Sequence, residues 1–521
     1  MGSIPIIYLR EPPMSSQGIP EQPAPRSARK NLNSPLPASL SANQTQPLQP
    51  SGSLKRRPLS SATIPVLPSI APPVLPPILP LRTPPIKLPG RYVPRLPREY
   101  PRPAYSERFH CITSECEDTC CKDWAVPIDQ ATYEKYQSVE GLKPHLGTLI
   151  VLNTKRQTRS DYARIPLTPQ SKCAFLDGEQ MCGIQKQLGA EMLSVTCTTY
   201  PRAVLTAAGQ RESALNLSCP EAARVVLLEP HLLDECDPFR DQAADRYAAL
   251  RHDARHLPRQ YQPRLAVREF ALLLLGDRSY PLWQRAYLLD VLARRLDALS
   301  GASSVAEWAE ANPNAVAKLL ADSARVVALQ RLRAQMDEAA AEPAEQLPLL
   351  IELIRLRVSQ PPVPTRFLEC VQQFEAGLGC ATAQSEQQIL DAYVDSYRRY
   401  YRPLMERHPH LLENYLMNHV FKNSYPFGRE RPASAAPVAA PEAESEHLSM
   451  CVHVALAQAL LIGMAGYHRE SFGVEQVVKL VQSMARTIEH SAQFLDQISS
   501  SVREKKLNNL RGIALLLRPV E

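Results

Sequence analysis

Eight of the chain's twelve cysteines fall in one stretch, at Cys111, Cys116, Cys120, Cys121, Cys173, Cys182, Cys197 and Cys219. No other feature limits the fold as much. A small secreted scaffold would use such a set as disulfides, but this chain has 521 residues and no secretory signal. At that length a core persists without covalent staples, and in a reducing compartment clustered thiols hold metal more often than they pair. The spacing is C-x4-C-x3-C-C, then C-x8-C-x14-C-x21-C. It lacks the paired C-x2-C knuckles of zinc fingers and the C-x2-C-x2-C run of ferredoxins. A C-x3-C-x2-C triad is excluded because its third position is Asp123. Spacing therefore predicts a metal site and leaves zinc and an iron–sulfur cluster both open.

The neighbours of the thiols carry further chemistry. Side chains of adjacent residues diverge, so Cys120 and Cys121 are expected to serve different roles. Glu117 and Asp118 set two carboxylates among the thiolates, either as a turn or as partners behind the metal ligands. Tyr200-Pro201-Arg202, directly after Cys197, can present a phenol and a cation to a substrate, or form a structural turn. Trp124 is expected to plug the core beneath the loop, and His110 to lie on the surface. Cys236, Cys370, Cys380 and Cys451 are scattered and read as ordinary buried thiols.

The net charge of +6 conceals two unlike regions. Residues 1–104 carry 13 Lys and Arg against 3 Asp and Glu, a balance of +10, while the remainder carries 46 against 50, a balance of −4. The same 104 residues hold 25 of the 49 prolines. Proline at this density removes amide donors and blocks both helix and sheet, so a disordered, polyproline-II-prone basic tail is predicted. The tail lacks the interleaved aromatics of nucleic-acid-binding segments, and its apolar runs are too short for a bilayer. A solvated linker with no nucleic-acid partner and no membrane span is expected.

Order is predicted from about residue 105. A loop-rich cysteine module over 105–238 should contain a helix behind Asp129, a second at Gly183–Leu193 and a third opening at Cys219-Pro220-Glu221. Leu149–Leu152 and Ala163–Leu167 read as a strand pair. A multi-helix domain then fills 239–521, with apolar residues at three- and four-residue steps, as in Leu282, Ala286, Leu289, Leu292 and Leu296. A long helix is predicted from Pro313 to about Ala341, and a capped one behind Ser385. An Ala-, Pro- and Glu-rich loop should occupy 429–446, before closing helices near Leu448–Ala465 and Val474–Ser500. The fold class is mainly α.

Several blocks together resemble the flagellin lysine-N-methylase family. They are Phe109-His110-Cys111, Cys116-Glu117-Asp118-Thr119-Cys120-Cys121 with Trp124, Cys173-Ala174-Phe175-Leu176, Thr196-Cys197-Thr198-Thr199-Tyr200-Pro201-Arg202 and Leu217-Ser218-Cys219-Pro220-Glu221. Farther on are Tyr280–Arg285, Glu413–Asn418, Val420–Asn423 and Arg486–His490. The cysteine half is also similar to a broader class of zinc- or iron-chelating proteins, so the later blocks sharpen the resemblance. It implies methyl transfer from S-adenosylmethionine to lysine side chains of flagellin, in the cytoplasm before export. It also implies an iron–sulfur cluster of the four-iron type, with all eight clustered cysteines as candidate ligands. Such a cluster needs about four thiolates, which leaves half of them over. The nearest candidates for a catalytic base are Tyr200, Asp118 and Glu117, and Arg202 is the candidate for holding the donor. No glycine-rich strand-to-helix loop occurs, so the donor pocket is expected to be of a non-Rossmann kind.

Two other readings remain open on sequence. One is a non-enzymatic zinc- or iron-binding module that recognises a protein partner from a helical scaffold. The other is a redox sensor built on Cys120-Cys121.

Overall fold

The computed structural model describes residues 104–233 and 261–520, apart from 155–156, 208–209, 302, 329–330, 339–341, 429–442 and 489–491. The expected tail, the expected boundary at 238/239 and Cys236 lie outside the described residues.

In the cysteine-bearing stretch the elements are short. They are β1 (Val126–Ile128), α1 (Gln130–Ser138), β2 (Val151–Leu152), β3 (Ala163–Ile165), α2 (Gly183–Leu188), α3 (Val195–Thr199), β4 (Arg202–Ala207), β5 (Gln210–Leu215) and α4 (Pro220–Leu227). Asp129 starts α1 as expected, its carboxylate accepting from the Thr132 amide at 2.9 Å. The same carboxylate accepts from the Val195 amide at 3.0 Å, so one residue ties the first turns of α1 and α3 together. The second expected helix stops at Leu188, because Gly189 takes a φ of 93° and ends it.

The expected strand pair forms as β2 and β3, and β1 adds to the other edge in the order β1-β3-β2, all antiparallel. Val126 and Ile128 alternate inward with Ala163 and Ile165, while Arg164 faces out. Pro127 is tolerated because β1 is an edge strand. The β4–β5 hairpin is additional to the expected strands; it pairs Arg202 with Leu215 through Ala207 with Gln210.

The remainder is helical: α5 (Gln262–Gly276), α6 (Leu282–Ser300), α7 (Val305–Ala311), α8 (Pro313–Ala328), α9 (Arg331–Glu338), α10 (Pro343–Val358), α11 (Thr365–Gly377) and α12 (Glu386–Ser396). A π-helical turn over Tyr397–Tyr401 leads into α13 (Arg402–Arg407), then α14 (His410–Lys422), α15 (Ala443–His468), α16 (Val474–Ile488), α17 (Ala492–Glu504) and α18 (Leu510–Leu517). The mainly-α expectation is met. The long helix expected from Pro313 is divided into α8 and α9.

Of the expected loop at 429–446, residues 429–442 lie outside the described residues, and Ala443–Glu446 are the first turn of α15. The cause is a cap from far away: the Asp297 carboxylate accepts from the Ala443 and Glu444 amides at 3.0 and 2.9 Å. Such a cap is invisible in local composition.

Helix α15 is apolar on every face and is the axis of this region, packing against α6, α10, α11, α12, α14, α16, α17 and α18. Its mean hydropathy reaches 1.9, and by length and composition it is the one described helix that passes for a membrane span. Within the protein 89% of that window is buried, as befits a core helix. It crosses α11 at small residues. A Cβ built on Gly377 would lie 1.8 Å from the Gly463 carbonyl oxygen, and one on Gly463 would lie 2.3 Å from the Phe374 ring.

Two hydrophobic cores result. The large one runs from Tyr105 and Phe109 through β5, α4 and the helices to Val520. The small one gathers Val126, Ile128, Tyr136, Ile150, Ile165 and Ile184 with their neighbours. Asn418 on α14 stitches β5 to the helices, as its amide donates to the Leu215 carbonyl at 2.9 Å and its oxygen accepts from the Leu215 amide and the Tyr105 hydroxyl.

Candidate metal centre

Two polar residues of α16, one turn apart, hold the loop that bears the first cysteines. Gln482 donates to the Asp118 carboxylate at 2.7 Å and to the Ser218 carbonyl at 2.9 Å, so it ties that loop to the residue before Cys219. Arg486 donates to Asp118 at 3.1 Å, to the Thr119 carbonyl at 3.1 Å and to the Lys122 carbonyl at 2.6 Å. Lys122 completes the cage at 2.5 Å from Asp118, which is only 3% exposed. Burial works against the Asp118 charge, but Arg486 and the hydrogen bonds from Lys122 and Gln482 outweigh it, holding the carboxyl below its ordinary range.

Around this anchor the eight thiols fall into two neighbourhoods. Cys121, Cys173, Cys182 and Cys197 all pack into the small core. Cys219 belongs to the large core, at the entry to α4, while Cys111 and Cys116 lie on the loop that leads to Asp118. Cys120 and Cys121 lie where the two neighbourhoods meet, and their thiols are hydrogen-bonded to each other. The Cys121 carbonyl accepts from the Cys173 amide at 2.7 Å, and the Cys120 carbonyl from the Trp124 indole at 2.7 Å. Trp124 packs against the small core, in keeping with its reading as a plug. His110 is exposed, also as expected.

The thiols perturb one another, and Cys120 joins the two neighbourhoods, since Cys121, Cys197 and Cys219 all act on it. A hydrogen bond from Cys120 lowers Cys121 to about 7, and the donor Cys120 is pushed up. Burial raises Cys173 to about 11 and Cys197 to about 12, and both are raised further by Cys121. Burial likewise raises Cys182, with Cys121 adding to it. Cys219 is raised by burial to about 12, with Cys116 and Cys111 adding to it. Burial thus holds Cys173, Cys182, Cys197 and Cys219 protonated, while Cys121 is the thiol most readily ionised.

The donor set suits a thiophilic metal by its chemistry. Among the described residues, no three Cys, His, Asp or Glu side chains already converge closely enough to grip one ion. A tetrahedral zinc would require the thiols to draw in, whereas a four-iron cluster is wider and holds its thiolates farther apart.

The other expected site residues are variously engaged. Glu117 is paired with Arg224 at 2.5 Å and with Arg366 at 3.5 Å. The Tyr200 hydroxyl lies 3.1 Å from the Ser218 hydroxyl, and its ring faces Trp124 with centroids 6.3 Å apart. Burial, and then Cys219, push the Tyr200 phenol well above its ordinary range. Arg202 stacks over Phe109 and donates to the Phe109 carbonyl at 3.2 Å, while its buried Nε finds no hydrogen-bond partner. Thus Glu117, Asp118, Tyr200 and Arg202 all lie around the thiols, but both carboxylates are tied into ion pairs.

Sequence reading assigned no role to Gln482 or Arg486. The available signal was their four-residue spacing on one amphipathic helix, yet the Asp118 they share stands more than 360 positions away. The Glu413–Asn418 block proves architectural: Glu413 pairs with Arg278 at 2.8 Å and Arg285 at 2.7 Å, and Asn414 donates to the Val226 carbonyl at 2.8 Å. A cavity of about 680 Å³ opens in the helical region, walled by Tyr280, Trp283, Tyr397 and Tyr401. None of the eight clustered cysteines lines it.

Comparison with known proteins adds an independent line. The model of a family described as the FliB lysine N-methylase C-terminal domain matches residues 268–516. Over 130 residues the chain is 34% identical to a lysine-N-methylase of Salmonella typhimurium and 33% identical to one of Salmonella choleraesuis. Those matches cover 25% of this chain and 32% of each relative, so the chain spans about a third of the length of these curated relatives. It is also 33% identical over 130 residues to the flagellar biosynthetic protein FliU of Salmonella muenchen, covering 25% of this chain and 76% of that protein. No solved structure matches. With its helical half matched by the family model and 76% of FliU covered, the chain belongs to the flagellin lysine-N-methylase family.

Proposed function

We propose that this chain is a protein-lysine N-methyltransferase that moves a methyl group from S-adenosylmethionine to lysine side chains of flagellin, in the cytoplasm before export. In this reading the cysteine region holds an iron–sulfur cluster. The observation that carries the proposal is membership of a family whose curated members bear the name lysine-N-methylase. The packing of Cys121, Cys173, Cys182 and Cys197 on one small core, with α16 gripping the loop before Cys120 through Asp118, supports the metal part.

The chemistry constrains what the protein must supply. A free lysine amine has a pKa near 10.4, so about one in two thousand is neutral at pH 7. In the transfer, the neutral nitrogen forms the new N–C bond as the S–C bond of the sulfonium breaks. S-adenosylhomocysteine departs and the nitrogen sheds a proton. Asp118 and Glu117 are already engaged by Arg486 and by Arg224 and Arg366, and the raised phenol of Tyr200 acts as a hydrogen-bond donor. We therefore assign the work to desolvation of the incoming lysine, with Tyr200 positioning it. The unpartnered Arg202 Nε is our candidate to receive the donor's carboxylate. When bound, the cluster supplies an iron at which the donor can be held. Among the candidate ligands, Cys219 and Cys120 are those that act on the Tyr200 phenol.

Calorimetry with S-adenosylmethionine on the purified chain separates this reading from a plain metal-binding module. The proposal requires saturable binding that weakens roughly tenfold, about 1.4 kcal/mol, in Arg202→Leu. Loss of binding in Tyr401→Leu with Arg202→Leu unaffected would move the donor to the helical cavity. No binding by the wild type would reject the enzyme reading. Full methylation by Tyr200→Phe would remove Tyr200 from the mechanism.

A further inference from the structure

The cavity of the helical region has no part in the methyl-transfer reading, although the Tyr280–Arg285 block builds one of its walls. Its volume of about 680 Å³ lies within the roughly 300–1,000 Å³ of small-molecule sites. One end of it suits an anion. Helix α6, 19 residues long, starts there with no side-chain cap at Pro281 and no acidic residue in its first turn. The first amides of a helix have no partner within it, and those of Leu282 and Trp283 have none elsewhere among the described residues. Arg285, in the same turn, is only 3% exposed, and its Nε has no hydrogen-bond partner among the described residues. Arg333 on α9 is exposed, stacks over the Tyr280 ring at 5.4 Å and pairs with no carboxylate among the described residues. An uncapped helix N-terminus flanked by guanidiniums attracts a phosphate or carboxylate.

The rest of the wall suits a flat ring. The π-helical turn sets Tyr397 and Tyr401 side by side, with centroids 5.7 Å apart and rings 32° from parallel. Turns of this kind recur at functional sites. Helix α15 brings Cys451, Val454 and Gln458, spaced by three and four, to the same cavity. Gln458 is the one polar side chain from Val454 to Gly466 on that apolar helix. Its amide offers a donor and an acceptor together, the pattern that matches an adenine edge. We propose that this cavity binds an adenine nucleotide, with the base among the aromatic side chains and Gln458 and the phosphate at the start of α6 beside Arg285 and Arg333. A bare anion would leave the aromatic wall unused, and an apolar ligand would leave the arginines unmatched. S-adenosylmethionine shares the adenosyl group but adds a sulfonium charge. The one carboxylate on the wall among the described residues, Glu406, is already paired with Arg402 at 3.3 Å. The nucleotide is therefore a ligand distinct from the methyl donor, and the inference does not rest on the methyltransferase reading.

The test is calorimetry of the full chain with adenosine 5′-monophosphate, and with adenosine and inorganic phosphate as its two halves. Saturable binding of the monophosphate is expected, with each half weaker by about tenfold or more. Arg333→Ala should weaken the monophosphate about tenfold and leave adenosine unchanged, since it removes a contact to the phosphate alone. Gln458→Leu should weaken the monophosphate and adenosine by the same factor. Both variants should fold, because Arg333 is exposed and leucine suits an apolar helix. A wild type that binds no monophosphate, or binding that survives both substitutions, overturns the site. Competitive displacement of the monophosphate by S-adenosylmethionine overturns the separate ligand and moves the methyl donor into the cavity.

Discussion

The small core around the thiols and the large core around α15 obtain order by opposite means. The large core relies on burial and shape: an all-apolar axial helix, a helix crossing close enough to demand glycine, and a Glu413 carboxylate gripped by two arginines. The small core has strands of two or three residues and is closed by a few hydrogen bonds, such as the paired caps from Asp129. Order in the first follows from packing area, whereas order in the second follows from backbone and cap hydrogen bonds around its thiols. The comparison teaches that the two regions should fail separately, under different insults.

The sharpest way to break the comparison is Glu413→Ala. It would leave Arg285, 4% exposed, and Arg278 without their shared carboxylate, and truncation of such a buried partner costs about 3–5 kcal/mol. Chemical denaturation should show that loss in the helical transition, with metal content per folded chain unchanged; simultaneous metal loss would mean that the two cores are one cooperative unit.

Acid provides the second test. His447 is fully buried between the Tyr425 hydroxyl and the Cys451 thiol, and burial, then Arg294, lower it to about 3. An unfolded histidine titrates near 6.5, so between pH 6.5 and about 3 the unfolded chain binds a proton that the folded chain refuses. Stability is therefore lost as pH falls through that window, at about 1.4 kcal/mol per unit for this one group. His447→Gln should flatten the acid slope of helical stability by that amount, and an unchanged slope would assign acid sensitivity elsewhere.

Gly463→Ala presses a methyl group onto the Phe374 ring at the α11–α15 crossing, and overpacking of this kind costs about 1–3 kcal/mol. A lowered melting temperature without metal loss is expected, and a neutral effect would show the crossing to be looser than described. The smallest effect is expected from Ser385→Ala, which removes a cap on Gln388 at the start of α12 and costs about 1 kcal/mol. Denaturant midpoints measure it directly.

What was legible in the sequence was local. Caps such as Asp129 and Ser385, the proline opening α4 and the apolar steps of α6 operate within a few residues and were read correctly. The cysteines marked the site because their spacing and concentration carry chemistry before any folding. The division of the thiols was not legible, since it depends on which core each side chain enters. Nor were Gln482 and Arg486, which reach Asp118 across most of the chain, or the start of α15, capped by the distant Asp297. The β4–β5 hairpin was missed because strand alternation is weak in Arg202–Leu215.

The most direct measurement is mass spectrometry of flagellin lysines after incubation with the anaerobically purified chain and methyl-labelled S-adenosylmethionine. The account predicts labelled methyl groups on lysine side chains with the wild type, and their loss when Cys116 and Cys219 are replaced by serine in a chain that still folds. Flagellin left unlabelled by a metal-loaded wild-type chain would contradict it.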